Sequence, residues 1–188
     1  MRIAIAGLGT VGAGVLRLLK EQTPNVFTVV GVSARNRTRK RAVDISSLAW
    51  FDAPVEMAES LDMEVFVELM GGSDGPAKRS VEAALDRGVH VVTANKALLA
   101  EHGAELALRA EKSGAVLCYE AAVAGGIPAI KAIREGLAAN RISKVAGILN
   151  GTCNFILSDM EATGRSFEDV LADAQRLGYA EADPTMDV

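Results

Sequence analysis

Residues 2–12 read Arg2-Ile3-Ala4-Ile5-Ala6-Gly7-Leu8-Gly9-Thr10-Val11-Gly12, and this stretch decides the fold. The apolar run Ile3 to Ala6 breaks at Gly7, the pattern of a short buried strand entering a turn. Over residues 10–20 the apolar positions Val11, Val15, Leu18 and Leu19 recur at helical spacing. Thr23-Pro24-Asn25 interrupts the helix, and residues 26–32 resume as a second strand. One βαβ unit is therefore complete within the first 33 residues. Two parallel strands need such a crossover, and it is almost always right-handed.

Gly7, Gly9 and Gly12 form a G-x-G-x-x-G that leaves a strand and opens a helix inside that unit. The first glycine permits the tight turn, the second lets a pyrophosphate approach the backbone, and the third lets helix and strand pack closely. The helix N-terminus adds N–H donors and a partial positive charge. The residues from Gly7 through Leu8, Gly9, Thr10 and Val11 to Gly12 are thus a candidate dinucleotide cradle.

Composition sets limits around it. The chain has 188 residues, 49% hydrophobic and 23% charged, with 18 glycines and five prolines, which excludes a disordered or collagen-like polymer. At this length roughly 70% of the unfolded surface can be buried without disulfide staples. Aromatic residues make up only 4%, so the core is Ala, Val, Leu and Ile, which suits helices on a parallel sheet. The net charge of −4 argues against wholesale nucleic-acid binding. Cys118 and Cys153 are too few for a disulfide framework and read as small buried residues. With no leader pattern and no bilayer-length apolar run, the expectation is a cytoplasmic α/β protein without membrane or nucleic-acid partners.

The alternation continues. Strands are predicted at 64–70, 89–92 and 115–119, with helices at 74–87 and 101–112, the rhythm of a doubly wound, mostly parallel sheet. Residues 34–63 fit no clear pattern. Beyond Glu120, Gly125-Gly126-Ile127-Pro128 leads into a helix to about residue 139, followed by a predicted strand at 144–149. Asn150-Gly151-Thr152 then precedes helices at 153–162 and 166–177, the second capped by Ser166 with Asp169 three residues on. This predicts a nucleotide domain over 1–122 and the start of a second, α+β domain over 123–188.

The end of the second strand separates cofactors. An acid there binds the ribose hydroxyls of NAD, but Val32-Ser33-Ala34-Arg35-Asn36-Arg37 has none. Five of the seven residues 35–41 are basic. Guanidinium forks match the 2′-phosphate of NADP, so Arg35 and Arg37 are its candidate ligands. Arg39 to Arg41 read as a solvated basic loop. NADP(H) is the preferred cofactor, with NAD(H) the alternative.

Taken in order, Gly7 to Gly12, Glu68-Leu69-Met70-Gly71-Gly72, Thr93-Ala94-Asn95-Lys96, Glu120-Ala121-Ala122-Val123-Ala124-Gly125-Gly126-Ile127-Pro128, Asn150-Gly151-Thr152-Cys153-Asn154 and Gly178-Tyr179-Ala180-Glu181-Ala182-Asp183-Pro184 resemble homoserine dehydrogenase. The resemblance covers nearly the whole chain. It implies a Rossmann-type domain joined to part of a substrate domain. It also implies NAD(P)-dependent interconversion of L-homoserine and L-aspartate 4-semialdehyde, on the route to threonine, methionine and isoleucine.

Residue by residue, the resemblance puts Gly71, Gly72, Thr93 and Asn95 against the cofactor, and Lys96 between nicotinamide and substrate, with a catalytic role. Asn150, Gly151 and Thr152 are implied donors to the substrate carboxylate, and Glu181 the partner of its amino group. Main-chain oxygens of Glu120, Val123, Gly125 and Ile127 are the implied ligands of a sodium ion. The family is usually a homodimer. Cys153 invites comparison with thiol nucleophiles, but its motif matches the hydride-transfer family better, and His90 and His102 read as structural. Family members continue beyond Val188 through an aspartate and a proton-donor lysine. The resemblance therefore implies an incomplete fragment with little or no turnover of its own. Two alternatives stay open at this point: another Rossmann oxidoreductase acting on a small amino acid or semialdehyde, and a non-catalytic dinucleotide-binding module.

Overall fold

The computed structural model describes residues 1–22, 26–147, 150–180 and 184. They divide into two compact units, Met1–Gly136 and Leu137–Val188. The first is built on six strands: β1 (Arg2–Ala6), β2 (Thr28–Ser33), β3 (Ala49–Phe51), β4 (Val65–Glu68), β5 (His90–Thr93) and β6 (Leu117–Cys118). Helices α1 (Thr10–Gln22), α2 (Pro54–Ser60), α3 (Pro76–Asp86) and α4 (Lys96–Ser113) connect them. The order across the sheet is β3-β2-β1-β4-β5-β6, with every pairing parallel. The chain moves outward on one side of β1 and then returns to build the other, so the winding reverses between β1 and β4.

Alternation along the central strands separates two apolar layers. Ile3, Ile5, Val65 and Val67 join Leu16 of α1 and Val32 on one face. Ala4, Ala6 and Phe66 join Met57 of α2, Val81 and Leu85 of α3, and Leu98 and Leu106 of α4 on the other. Burial on both faces explains why β1 and β4 read as continuous apolar runs.

Strands, helices and the parallel sheet follow the sequence reading, with local differences. Residues 34–63, left unassigned, contain β3 and α2. β3 has only three residues, too few for alternation to register. Helix α4 starts at Lys96, ahead of the expected 101, because Asn95 caps it: its Oδ1 accepts from the Leu98 N–H at 3.1 Å. The helix after Pro128 is α5 (Ala129–Lys131) running into a π-helical turn, Ala132–Gly136, where glycine ends it short of 139. Cys118 is exposed and Cys153 half-buried, so neither is a core residue. Cys118 follows the buried Leu117 on the edge strand β6 and points to the opposite, open face.

In the second unit α6 (Gly151–Thr163) and α7 (Phe167–Leu177) pack through Ile156, Val170, Ala174 and Ala180. Ser166 caps α7 as expected, its Oγ accepting from the Asp169 N–H. Arg165 joins Asp159 and Asp173 at 3.5 and 2.8 Å. The strand expected at 144–149 is absent over 144–147, and 148–149 lie outside the described residues. An extended segment becomes a strand only with a ladder partner, and the described residues of this unit supply none. Among the described residues no helix is long and apolar enough to cross a membrane.

The junction of β1 and α1 is the tightest place in the first unit. A Cβ on Gly12 would overlap the Gly7 carbonyl oxygen, whereas one on Gly14, two residues further along, meets open space. Gly12→Ala is therefore expected to destabilise the protein by about 1–3 kcal/mol through overpacking. Gly14→Ala is expected to stabilise it by about 0.5–1 kcal/mol through helix propensity. Urea melts of the two variants check the pair, and equal effects would refute the packing assignment.

Candidate functional site: the carboxyl edge of the sheet

The ends of β1, β4 and β5 converge where the winding reverses, the place where open α/β sheets bind ligands. Gly7 turns out of β1 with φ +98°, a conformation that suits glycine, and a Cβ there would overlap the Leu69 carbonyl. Its N–H donates to the Ser33 carbonyl at 2.9 Å, tying the turn to β2. Gly9, by contrast, has nothing within 4 Å of where a Cβ would stand. Thr10 and Val11, at the start of α1, are exposed. Leu8 points into the core at 3% exposure, so that position offers backbone only. Gly7 thus makes the turn, Gly12 permits the close packing, and Gly9 leaves open space before the exposed first residues of α1.

Beside this cradle stands Glu68, part of a motif quoted above but given no role of its own. Glu68, the last residue of β4, is fully buried. Its Oε1 accepts the Met70 N–H at 2.6 Å and its Oε2 accepts the Thr93 hydroxyl at 2.6 Å. Thr93 Oγ1 in turn accepts the Asn95 N–H at 3.0 Å, and Asn95 Nδ2 donates to the Gly72 carbonyl at 2.7 Å. One carboxylate therefore fixes Gly71-Gly72, Thr93 and Asn95, the expected cofactor neighbours, as a single assembly. The available signal was an acid closing the apolar run Val65-Phe66-Val67, since a buried carboxylate demands partners. Burial raises the Glu68 pKa above its ordinary value, and the bonds from Thr93 and Met70 only partly oppose this.

Lys96, the first residue of α4, is exposed. It borders a cavity of about 420 Å³ whose apolar wall includes Leu99, Leu117, Tyr119 and Val123. Of the two histidines, His90 Nδ1 on β5 accepts at 3.1 Å from the N–H of Val116, just before β6, and His102 lies 3.1 Å from Asp74.

The basic turn after β2 corrects one expectation. Arg35, Arg37, Arg39 and Lys40 are exposed, but Arg41 is half-buried and is no solvated charge. Its guanidinium donates to the carbonyls of Asn36, Arg39 and Arg37 at 2.7, 2.9 and 3.3 Å. Among the described residues no acid forms an ion pair with any of the five cations.

The Glu120 loop spends its carboxylate within the fold. Oε1 and Oε2 accept the N–H groups of Ile130 and Lys131 at 3.1 and 2.8 Å, capping α5. The main-chain oxygens of Glu120 and Ile127 each accept one N–H, from Val123 and Ala129, which leaves each a second lone pair. Main-chain oxygens of this kind, half-buried at Glu120 and Val123 and exposed at Gly125 and Ile127, are the donor type that a hard cation takes. In the second unit Asn150 Oδ1 caps α6 by accepting the Cys153 N–H at 2.8 Å. The Thr152 hydroxyl donates to the Tyr179 carbonyl at 2.8 Å. Both side chains thus have internal partners, and at Gly151 the backbone is what the site can offer. Glu181 lies outside the described residues.

A parallel sheet with a glycine cradle at its reversal point and a helix N-terminus facing it defines a Rossmann-type NAD(P)-binding domain. Comparison with known proteins narrows this. Residues 7–120 match the family described as homoserine dehydrogenase, NAD binding domain, and residues 128–188 match the family described as homoserine dehydrogenase. The chain belongs to the homoserine dehydrogenase family. It is 49% identical over 194 aligned residues to the homoserine dehydrogenase of Neisseria gonorrhoeae, with all of this chain and 44% of that protein covered. A crystal structure of a homoserine dehydrogenase from Thiobacillus denitrificans superposes with a TM-score of 0.86 at 45% identity, covering all of this chain and 45% of that one. A hyperthermophilic archaeal homoserine dehydrogenase in complex with NADPH superposes at 0.84 and 25% identity, with 64% of that chain covered. The chain spans less than half the length of the curated relatives it matches.

The raised pKa of Glu68 has a consequence for stability. Its folded form holds a proton more tightly than the unfolded chain, so its contribution to stability is greatest below the ordinary pKa of 4.5. That contribution is lost as pH rises through the folded value. In Glu68→Gln this component is absent, so the stability of wild type relative to the variant should decline with rising pH across that window. Denaturant titrations at several pH values measure the difference, and a gap that widened with pH would contradict the desolvation argument.

Proposed function

We propose that this chain carries the cofactor-binding half of an NADP(H)-preferring homoserine dehydrogenase, interconverting L-homoserine and L-aspartate 4-semialdehyde, with NAD(H) the weaker cofactor. The observation that carries the reading is the open backbone at Gly9 and the α1 N-terminus, at the same sheet edge as the Glu68 network that fixes Asn95 just before Lys96. Backbone N–H groups at Gly9, Thr10 and Val11 hold the pyrophosphate, where the positive end of the α1 dipole favours negative charge. Arg35 and Arg37 hold the 2′-phosphate, an acid partner that these cations lack among the described residues. Gly71 and Gly72, without side chains, let the nicotinamide side of the cofactor lie against backbone, and Thr93 and Asn95 keep that backbone in place.

Bound nicotinamide supplies or takes up the hydride. The Lys96 ammonium donates hydrogen bonds to the substrate and stabilises negative charge developing on the oxygen at the reacting carbon. The backbone donors at Gly151 and the α6 N-terminus, with Asn150 and Thr152 shaping them, receive the substrate carboxylate. Glu181 pairs with the substrate ammonium. The oxygens of Glu120, Val123, Gly125 and Ile127 hold a sodium ion, which stiffens the loop without entering the chemistry.

The test uses protein of the length of the curated relatives. Homoserine-dependent reduction of NADP, followed by nicotinamide absorbance, is expected for the parent. Lys96→Met should lower kcat by about 100-fold or more, with the Kd for NADPH changed by less than about threefold. A parent that binds NADPH yet ignores both homoserine and aspartate semialdehyde would disprove the reading.

A further inference from the structure

Arg41 and Trp50 lie outside every role assigned so far, yet they organise the basic turn. Trp50 sits on β3 in register with Val32 of β2, immediately before the turn begins. Its indole is half-buried beside Val43, Ile45 and Leu48 on the core of that face. The ring N–H donates to Asp52 Oδ1 at 2.7 Å, which fixes the ring's rotation. The guanidinium carbons of Arg37 and Arg41 stand 5.8 and 5.6 Å from the ring centroid, within cation–π range.

The turn itself is closed from both sides. Within it, Asn36 Oδ1 accepts from the Thr38 N–H, the Thr38 hydroxyl and the Arg39 N–H at 2.9, 2.9 and 3.1 Å. From outside, Arg41 gathers the carbonyls of Asn36, Arg37 and Arg39. Arg41 Nε is buried with no hydrogen-bond partner among the described residues. A guanidinium that gives up water at Nε and stands beside a second cation is in a position set by the turn, not by its own solvation. The Arg37 guanidinium is meanwhile held over the same ring.

We propose that Arg41 and Trp50 are positioning residues that hold the 36–39 turn and Arg37 in the shape that receives the 2′-phosphate of NADP, and so set the preference for NADPH over NADH. This rests on the NADP reading above. The two residues act through the turn: Trp50 is a platform whose height fixes the Arg37 guanidinium, and Arg41 a clasp that keeps the turn carbonyls away from the phosphate. Free arginines would lose side-chain entropy on binding, and a pre-set turn has already met that cost.

The experiment measures Kd for NADPH and NADH by nucleotide fluorescence with wild type, Trp50→Leu, Arg41→Met and Arg41→Lys. NADH lacks the 2′-phosphate, so its affinity reports whether the rest of the cradle is intact. The expected result is a wild-type preference for NADPH. In both Trp50→Leu and Arg41→Met this preference falls by about tenfold or more, with NADH affinity changed by less than about twofold. Arg41→Lys keeps the charge but cannot clasp three carbonyls, so it too should lose most of the preference. If Arg41→Lys keeps the full preference, Arg41 acts as a charge and not as a clasp, and the proposal fails. Equal losses for both nucleotides would reduce the pair to a role in general stability and also overturn it. A wild type that shows no preference overturns the NADP reading itself, which the wild-type measurement alone distinguishes from failure of the brace.

Discussion

The carbonyl oxygen of Gly7 stands where residue 12 would carry its β-carbon, and the first unit is arranged around that contact. Because nothing projects from Gly12, the first turn of α1 comes against the end of β1. Because Gly7 can hold φ +98°, the chain turns there while passing close to the Leu69 carbonyl at the end of β4. Backbone thus meets backbone at two adjacent strand ends. The result is a helix N-terminus aimed over the reversal point of the sheet, with Gly9 leaving open space in front of it. A larger residue at either position would move the helix away from the edge and take its donors with it.

Around that contact, polar groups do what apolar packing cannot. The sheet is held by two layers of aliphatic side chains, which are indifferent to the fine placement of loops. At its carboxyl edge the placement comes from single groups: the Glu68 carboxylate joining the ends of β4 and β5, Asn95 linking α4 to Gly72, and Arg41 closing the turn after β2. Buried carboxylates are expensive to ionise, and each bond that Glu68 accepts offsets part of that cost. The loops around the site therefore sit on a small set of polar bonds, of which those to Glu68 gain strength from exclusion from water.

Much of this was legible from residue order. Ile3 to Ala6 and Val65 to Val67 declare buried parallel strands because both faces are covered, and the glycine spacing acquires meaning from the strand before it and the helix after it. Other features depend on contacts distant in sequence. β3 is three residues long and exists because β2 pairs with it, so no local pattern could announce it. Arg41 reads as one more solvated cation until the turn carbonyls are seen to gather on it. Residues 144–147 have strand-like composition without a ladder partner among the described residues, which shows composition to be insufficient there. Glu68 was visible as an anomaly, and only the positions of Thr93 and Met70 explain it. Membership of the homoserine dehydrogenase family followed from six short motifs in order, each weak alone.

In the proposed function a phosphorylated dinucleotide lies across the carboxyl edge, with its pyrophosphate over Gly9 and its 2′-phosphate in the basic turn. Backbone amide chemical shifts recorded during titration with NADPH test it most directly. The largest changes are expected at Gly9, Thr10 and Val11 together with residues 36–39, and with NADH in place of NADPH the second group alone should fall quiet. Shifts confined to the opposite edge of the sheet, or a turn at 36–39 that responds equally to both nucleotides, would contradict it.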